Sequence, residues 1–222
     1  MSDRTTGNDL PDRVTLVKRL KESHRGPLKP KELARALDVP SEAYRAFKRQ
    51  LRELEADGTL YRVKGNRYAV PEKINLVVGR LSVIKSGDAF VVVDDASKED
   101  VFVPANDHGS AMDGDQVVAR IEGRPRGRNP VGRVIKILER VHPSVVGTFH
   151  TSRKLNYVAP QDDKLTRDIL VAEGDEKGAG EGDVVLVRLV HYGDRKLNPL
   201  GEVEKVLGKI SDPGVDVLAV LY

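Results

Sequence analysis

The sequence predicts an α+β multidomain protein in which an N-terminal winged helix-turn-helix domain precedes two tandem small β-barrels. Apolar residues recur at helical spacing over the first third of the 222-residue chain, whereas short β-branched runs separated by Gly, Asp and Pro fill the remainder. That remainder also contains one sequence pattern written twice. These observations together indicate one helical domain followed by two copies of a β domain.

Three helices are predicted in the N-terminal segment. The first spans Asp12 to Ser23 and the second spans Pro30 to Leu37. The third follows a cap at Ser41 and stops at Gly58. The apolar residues of the three predicted faces are Val14, Leu16, Val17 and Leu20, then Leu33, Ala34 and Leu37, then Tyr44, Phe47, Leu51 and Leu54.

A β-hairpin is predicted after the third helix, because TLYRVKGNRYAV alternates apolar and polar residues around Gly65 and Asn66. Three helices and a hairpin predict a winged helix-turn-helix domain over residues 11–72. Residues 1–75 contain 17 Lys and Arg against 11 Asp and Glu, which favours a polyanionic partner. The predicted nucleic-acid contacts are Arg45, Lys48, Arg49 and Arg52 on the third helix and Arg62, Lys64 and Arg67 on the hairpin. The alternative is that these charges are solvated or face another domain.

The repeated pattern starts at Gly79 and again at Gly147. Its corresponding residues are Gly114 and Gly182, Asp115 and Asp183, Asn129 and Asn198, Pro130 and Pro199, and Gly132 and Gly201. Each copy contains about five short β-branched runs, which is typical of an OB-fold barrel. We therefore predict OB-fold, cold-shock-like barrels over residues 76–142 and 145–210. A flexible tail over residues 1–10 and a linker beginning at residues 211–222 complete the predicted organisation.

The first copy contains KSGDAFVVV and DVFV, which resemble the RNA-binding signatures of cold-shock domains. Those signatures have a Lys-Gly-aromatic strand followed by an Asp-hydrophobic-Phe-Val strand. The resemblance assigns Lys85, Phe90 and Phe102 to RNA binding, because exposed rings stack on unpaired bases while cations hold phosphates. The alternative is that both Phe side chains fill the barrel core.

Two departures from the cold-shock pattern predict weaker or more shape-dependent binding. Asp88 and Pro104 stand where that pattern has another aromatic residue and a His. The second copy offers Tyr157 and Ile169 in place of the two Phe residues, so the second barrel is predicted to bind RNA less well. Tyr157 remains a predicted RNA contact.

A basic loop lies between the last two predicted strands of the first barrel. The segment GRPRGRNP places Arg124, Arg126 and Arg128 among Gly and Pro residues. Three guanidinium groups on one loop suit an RNA backbone, because neutralising phosphates releases counterions. The alternative is a disordered linker.

The segments GRLSVIKSGDAFVVVDD, EDVFVPANDHGSAMDGDQVVARI and SDPGVDVLAV, in this order of domains, resemble bacterial ribonuclease R of the ribonuclease II family. The resemblance implies a processive 3′-to-5′ exoribonuclease whose N-terminal domains guide single-stranded and structured RNA into a catalytic domain with acidic Mg²⁺ ligands. SDPGVDVLAVLY resembles the approach to that domain, which this chain is expected to lack. We therefore expect no cofactor for this chain, with Mg²⁺ bound only in the catalytic domain.

No catalytic or metal-binding residue is predicted. Asp94, Asp95 and Asp100 form an acidic cluster that we attribute to a turn, because the second copy has Asp162 and Asp163 in the equivalent place. The five His residues are scattered without ligand spacing. We expect no hydrolysis by the chain alone.

Composition indicates where the protein resides, and two other function classes stay open. The chain has no Cys, no secretory signal and no apolar run of about 18 residues, which predicts a cytoplasmic protein without a membrane partner. One alternative is a winged-helix DNA-binding regulator. The other is an interaction scaffold that docks onto ribosomes or onto proteins of RNA degradation.

Overall fold

The computed structural model describes residues 10–24, 26–95, 97–153, 155–194 and 196–212. The chain forms two compact units that divide between Val78 and Gly79. Apart from Leu10, Ser211 and Asp212, the predicted tail over 1–10 and the predicted linker over 211–222 lie outside the described residues.

The first unit contains the three predicted helices and the predicted hairpin. Its elements are α1 (Arg13–Glu22), α2 (Pro30–Ala36), α3 (Tyr44–Ala56), β1 (Tyr61–Val63), β2 (Arg67–Ala69) and a 3-10 turn (Pro71–Ile74). Asp12 begins α1 by accepting a hydrogen bond of 2.7 Å from the Thr15 N–H. Pro30 occupies the first turn of α2, where its missing N–H costs nothing.

Two sequence predictions in this unit are wrong. Ser41 does not cap α3, because a turn over residues 40–43 satisfies the local N–H groups and the helix begins at Tyr44. Val14 does not belong to the buried face of α1 and is 76% exposed. Its position lies about 200° around the helix from the buried Leu16, since each residue turns the helix by about 100°.

The core of the first unit lies between the helices and the hairpin. Leu28 exchanges two backbone hydrogen bonds with Tyr68, of 2.9 and 2.7 Å, and so joins the segment before α2 to β2. The buried residues of this core are Leu16, Leu20, Leu28, Leu33, Ala34, Phe47, Leu51, Leu54, Leu60, Tyr68 and Val70. The third helix therefore buries one face and leaves the opposite face to solvent.

Two closed five-stranded barrels follow. The first consists of β3 (Leu76–Val83), β4 (Ala89–Val92), β5 (Val101–Val103), β6 (Gln116–Gly123) and β7 (Val131–Glu139), in the order β3-β4-β5-β7-β6. The second consists of β8 (Ser144–His150), β9 (Asn156–Pro160), β10 (Ile169–Val171), β11 (Asp183–His191) and β12 (Leu200–Lys209), in the equivalent order. The third and fifth strands of each barrel pair in parallel. This is OB-fold topology, as the sequence predicts.

The repeated residues occupy equivalent places in the two barrels. A Cβ atom on Gly79 would collide with the carbonyl oxygen of Val92 on the next strand, and one on Gly147 would collide with that of Ala159. Asp115 accepts a hydrogen bond of 2.9 Å from the Met112 N–H, and Asp183 accepts one of 2.7 Å from the Gly180 N–H. The sequence repeat therefore records common requirements for closing the barrel.

The barrels contact each other inside the second unit. The Arg140 guanidinium lies 3.7 Å from the centre of the Tyr192 ring, and the Tyr192 hydroxyl donates a hydrogen bond of 3.1 Å to the His142 carbonyl. Lys164 Nζ forms an ion pair of 3.1 Å with Asp113. These contacts join the end of the first barrel to the loops of the second.

Candidate nucleic-acid interface

A row of four outward side chains crosses the first barrel. Strand register places Ser82 beside Phe90, Phe90 beside Phe102, and Phe102 beside Val131. Alternation along β4 and β5 explains the row, because neighbouring residues in a strand point to opposite faces. The next row, which contains Leu81, is fully buried inside the barrel.

The two Phe rings form a pair on this outer face. Their centroids lie 5.5 Å apart at an interplanar angle of 62°, the edge-to-face arrangement that aromatic quadrupoles favour. Both side chains are half-buried on the outer face, so neither ring fills the barrel core. Exposed Val92 extends the apolar surface along β4. The Phe pair and Val92 therefore form an apolar surface on the outside of the barrel.

Cations lie at both ends of the Phe pair. Lys85 lies in the turn before β4, is 89% exposed, and approaches Asp163 of the second barrel at 3.7 Å. The loop over residues 124–130 lies at the opposite end of β4 from Lys85. A strand of four residues is about 13 Å long, which sets the approximate separation of the two ends. Cationic side chains therefore lie beyond both ends of β4, where Lys85 and Arg124 also have acidic partners.

The basic loop is anchored beside Phe102. The Phe102 N–H donates a hydrogen bond of 2.8 Å to the Pro130 carbonyl, and Asn129 Nδ2 donates one of 3.0 Å to the Asp100 carbonyl. Arg124, Arg126 and Arg128 are exposed, and Arg124 makes an ion pair of 3.6 Å with Glu99. These bonds make the segment a structured loop, in contrast to the linker that the sequence left open.

The acidic cluster of the first barrel serves the turn between β4 and β5. Asp95 accepts hydrogen bonds from the Ser97 N–H and hydroxyl, of 3.1 and 2.6 Å, and these bonds lower the pKa of its carboxyl group. Asp100 accepts a bond of 3.1 Å from the Val93 N–H. The predicted structural role of both carboxylates fits these bonds.

An equivalent row crosses the second barrel. Register places His150 beside Tyr157, Tyr157 beside Leu170, and Leu170 beside Leu200. The predicted equivalence of Ile169 with Phe102 is wrong, because Ile169 is buried inside the barrel. Leu170 takes the place of Phe102, and its N–H donates to the Pro199 carbonyl at 2.8 Å as the Phe102 N–H does to that of Pro130.

His150 and Tyr157 stack on each other. Their ring centroids lie 5.0 Å apart at 26°, and His150 Nδ1 lies 2.8 Å from Glu181 Oε1. Hydrogen bonds from the Thr151 N–H, from His150 and from the Thr151 hydroxyl lower the pKa of Glu181 from 4.5 to about 2. Glu181 therefore remains ionised at every pH near neutrality and accepts a hydrogen bond from the His150 Nδ1–H.

The predicted cations of the helical unit fall into two groups. Arg62 pairs with Glu55 at 3.1 Å and Arg67 with Glu32 at 3.7 Å, while Arg49 approaches Glu53 at 3.9 Å. The others are Arg45, Lys48 and Arg52, which are exposed on α3, and Lys64, which is exposed in the hairpin turn. Arg52 Nε donates to the Lys48 carbonyl at 3.3 Å, and Lys48 Nζ lies 5.6 Å from the centre of the Tyr44 ring. The exposed side of α3 therefore carries the predicted positive surface.

Two further properties of the described residues bear on function. Among them, no group of three or more His, Cys, Asp and Glu side chains is arranged to hold a metal ion. No described helix combines the length and apolar character needed to cross a membrane.

The sequence reasoning missed His150, Leu170, Val131 and Leu200 as members of the outer rows. A sequence signal existed for two of them. Val131 and Leu200 immediately follow the repeated Asn-Pro pairs, which mark the start of each fifth strand. The signal for His150 was absent, because its counterpart in the first barrel is Ser82.

The topology defines a tandem OB-fold protein. Residues 79–137 match the family described as Ribonuclease B OB domain, and residues 157–222 match the family described as Cold shock domain. Ribonuclease R of Thermotoga maritima is 35% identical over 195 residues, which are 82% of this chain and 27% of that protein. Ribonuclease R of Vibrio parahaemolyticus is 30% identical over 213 residues, which are 94% of this chain and 25% of that protein.

Solved structures show the same fold. Mycoplasma genitalium RNase R in complex with ribose methylated single-stranded RNA has a TM-score of 0.59 and 20% identity, over 65% of this chain and 23% of that one. Yeast Ssd1, a pseudonuclease, has a TM-score of 0.56 and 20% identity, over 68% of this chain and 25% of that one. The predicted resemblance to the N-terminal region of ribonuclease R is confirmed. The chain spans about a quarter of the length of the two ribonuclease R relatives above.

Proposed function

We propose that this chain binds RNA and guides it as the N-terminal part of a ribonuclease R-like 3′-to-5′ exoribonuclease. The observation that carries the proposal is the outward Phe90 and Phe102 pair with cations at both ends of its strand. Rings bind unpaired bases by stacking, whereas Lys and Arg bind the backbone, so this arrangement suits single-stranded RNA. Hydrolysis and its Mg²⁺ ligands are assigned to a catalytic domain of the whole protein, and RNA binding to this chain.

Replacing both rings tests the proposal. We expect the Phe90→Ala, Phe102→Ala variant to bind fluorescent oligo-A RNA about tenfold to a hundredfold more weakly, because each stacked base contributes roughly 1–3 kcal/mol. The logarithm of the binding constant should fall with the logarithm of the salt concentration as steeply as for the wild-type chain, since the variant retains all cations. Fluorescence anisotropy over a salt series measures both quantities.

The matched control is Val206→Ala, which removes an exposed apolar side chain from the second barrel outside its aromatic row. Its affinity should equal that of the wild-type chain. If the Phe variant also binds as tightly as the wild-type chain, the RNA site is not this surface, and the basic loop and α3 become the candidates. Wild-type binding that is absent at every salt concentration would favour the scaffold alternative.

We also propose that the helical unit acts as a winged helix and that α3 binds structured RNA. Arg45, Lys48 and Arg52 share the exposed side of α3 opposite its buried residues, at the spacing of successive helical turns. A helix presenting cations in this way fits the phosphates that line a nucleic-acid groove. Within the whole protein, this unit would hold folded RNA while the barrels take its single-stranded end.

Charge removal on α3 tests this second assignment. The Arg45→Gln, Arg52→Gln variant should bind an RNA hairpin more weakly. Its binding constant should also depend less steeply on salt concentration, by the amount that corresponds to the loss of about two phosphate contacts. Binding of oligo-A RNA should change little. The charge-matched control is Lys18→Gln, Arg19→Gln on α1, which should leave hairpin binding unchanged. Tighter binding to a specific DNA duplex than to the hairpin would instead support the DNA-binding regulator.

A further inference from the structure

The second barrel repeats the aromatic row of the first barrel with polar aromatic residues. Ser82 and Phe90 of the first row correspond to His150 and Tyr157 in the second, at equivalent positions of the first two strands of each barrel. Leu170 and Leu200 continue the second row as Phe102 and Val131 continue the first. The second row therefore keeps a large ring, Tyr157, next to the apolar Leu170. It differs from the first row in carrying the Tyr157 hydroxyl and the His150 ring nitrogens.

Two of those polar atoms have no hydrogen-bond partner in the part of the chain that the structure describes. Among the described residues, the Tyr157 hydroxyl has no hydrogen-bond partner and His150 Nε2 has none either, although both side chains are partly exposed. Ionised Glu181 accepts a hydrogen bond of 2.8 Å from the His150 Nδ1–H. In the neutral ring this bond leaves Nε2 as an acceptor. The stacked pair thus carries one nitrogen that accepts when the ring is neutral and one hydroxyl that both donates and accepts.

Cations again lie at both ends of the row. Arg153 is exposed in the turn between β8 and β9, where Lys85 lies in the first barrel. Lys196 is exposed in the loop between β11 and β12, where the three Arg residues lie in the first barrel. The second barrel therefore also offers cations that can contact a nucleic-acid backbone. Within the described residues, its loop between the last two strands has fewer exposed cations than the corresponding loop of the first barrel.

We propose that His150 and Tyr157 form a second nucleotide site, which stacks an unpaired base and selects ribose over deoxyribose. The ribose 2′-OH is both a donor and an acceptor, so it can donate to His150 Nε2 and accept from the Tyr157 hydroxyl. Deoxyribose offers neither bond. This inference rests on the proposed binding of single-stranded RNA, and it assigns the discrimination of sugar type to the second barrel.

Tyr157→Phe isolates the hydroxyl group, because the ring remains. We expect this variant to bind oligo-A RNA about three- to tenfold more weakly than the wild-type chain, the change that corresponds to one hydrogen bond. Its affinity for oligo-dA should be unchanged, so the ratio of RNA to DNA affinity should fall. His150→Phe, which also keeps a ring, should lower the same ratio. Tyr157→Ala should weaken binding of both oligonucleotides by about tenfold.

The control for these variants is Val190→Ala, which changes an exposed apolar side chain of β11 outside the row. An unchanged RNA to DNA ratio in Tyr157→Phe, or no ribose preference in the wild-type chain, would overturn the inference. Circular dichroism melting confirms that each variant folds. If wild-type binding depends on Phe90 and Phe102 but not on Tyr157, this inference alone fails. If the wild-type chain binds no RNA, the proposed function fails with it.

Discussion

Replacing Asp115 with Ala is expected to lower the free energy of unfolding by about 3–5 kcal/mol, the cost of removing one partner from a buried ion pair. Asp115 is the buried charged residue of the described core, with an exposure of 0%. Its carboxylate accepts hydrogen bonds from the Met112 N–H, the Val141 N–H and the Arg140 guanidinium, of 2.9, 3.1 and 3.2 Å. The variant leaves all three donors without this acceptor.

The effect extends beyond the first barrel because Arg140 also contacts the second. Asp115 holds the guanidinium where it donates to the Ser110 carbonyl at 2.6 Å and lies over the Tyr192 ring. Without the carboxylate, a cation that is only partly exposed loses its charge partner next to that ring. We therefore expect hydrogen exchange to increase both around Asp115 and around Tyr192.

The second barrel provides the matched control, Asp183→Ala. Asp183 occupies the equivalent place, but its partner Lys209 is half-exposed and the ion pair of 2.6 Å lies near solvent. Its loss should cost about 1.5 kcal/mol, the lower end for a hydrogen bond to a charged group, because solvent screens this pair. Urea denaturation followed by circular dichroism measures both variants. Equal losses in the two variants would show that burial of Asp115 is not the source of its effect.

Gly79→Ala is expected to destabilise the chain by about 3 kcal/mol, the upper end of the cost of overpacking a core. A Cβ atom at this position would overlap the carbonyl oxygen of Val92 and lie 2.9 Å from Cγ1 of Val91. The obstacle is the backbone of the paired strand, which cannot move without breaking the ladder between β3 and β4. The close approach of these strands therefore requires Gly.

Gly123→Ala is the control for this substitution. Gly123 also lies in a strand of the first barrel, but no atom lies within 4 Å of an added Cβ. This variant should change stability by less than about 1 kcal/mol, and a small gain is expected because Ala restricts the unfolded chain. Thermal and urea unfolding of the two variants give the comparison. A Gly79→Ala chain as stable as Gly123→Ala would refute the backbone argument.

Much of the fold followed from local patterns. Helical spacing located α1 to α3 within one or two residues at their ends, apart from the start of α3, and Gly65 with Asn66 located the hairpin. The repeat predicted two barrels of equal topology, because Gly79 and Gly147 meet the same steric need and Asp115 and Asp183 accept equivalent backbone hydrogen bonds. Val14 and Ser41 were misassigned, since several nearby residues satisfied the same helical spacing or capping preference.

The candidate site was only partly accessible to sequence reasoning. The cold-shock signature identified Phe90 and Phe102, but the runs AFVVV and VFV are apolar throughout and so do not reveal which residues face outward. The same ambiguity led to Ile169 in place of Leu170. His150 was not predicted, because an isolated His has no recognisable sequence motif. Only the pairing of β8 with β9 shows that it stacks on the Tyr157 ring.

The sequence by itself determined the order of domains, the two barrels and the resemblance to a ribonuclease R N-terminal region. These features depend on short-range spacing and on identical residues recurring at fixed intervals. Only the tertiary structure decided which rings face solvent, which cations flank them and which residue stands in each row. Closing a barrel sets the register between strands distant in sequence, and a shift of one residue turns every side chain to the opposite face.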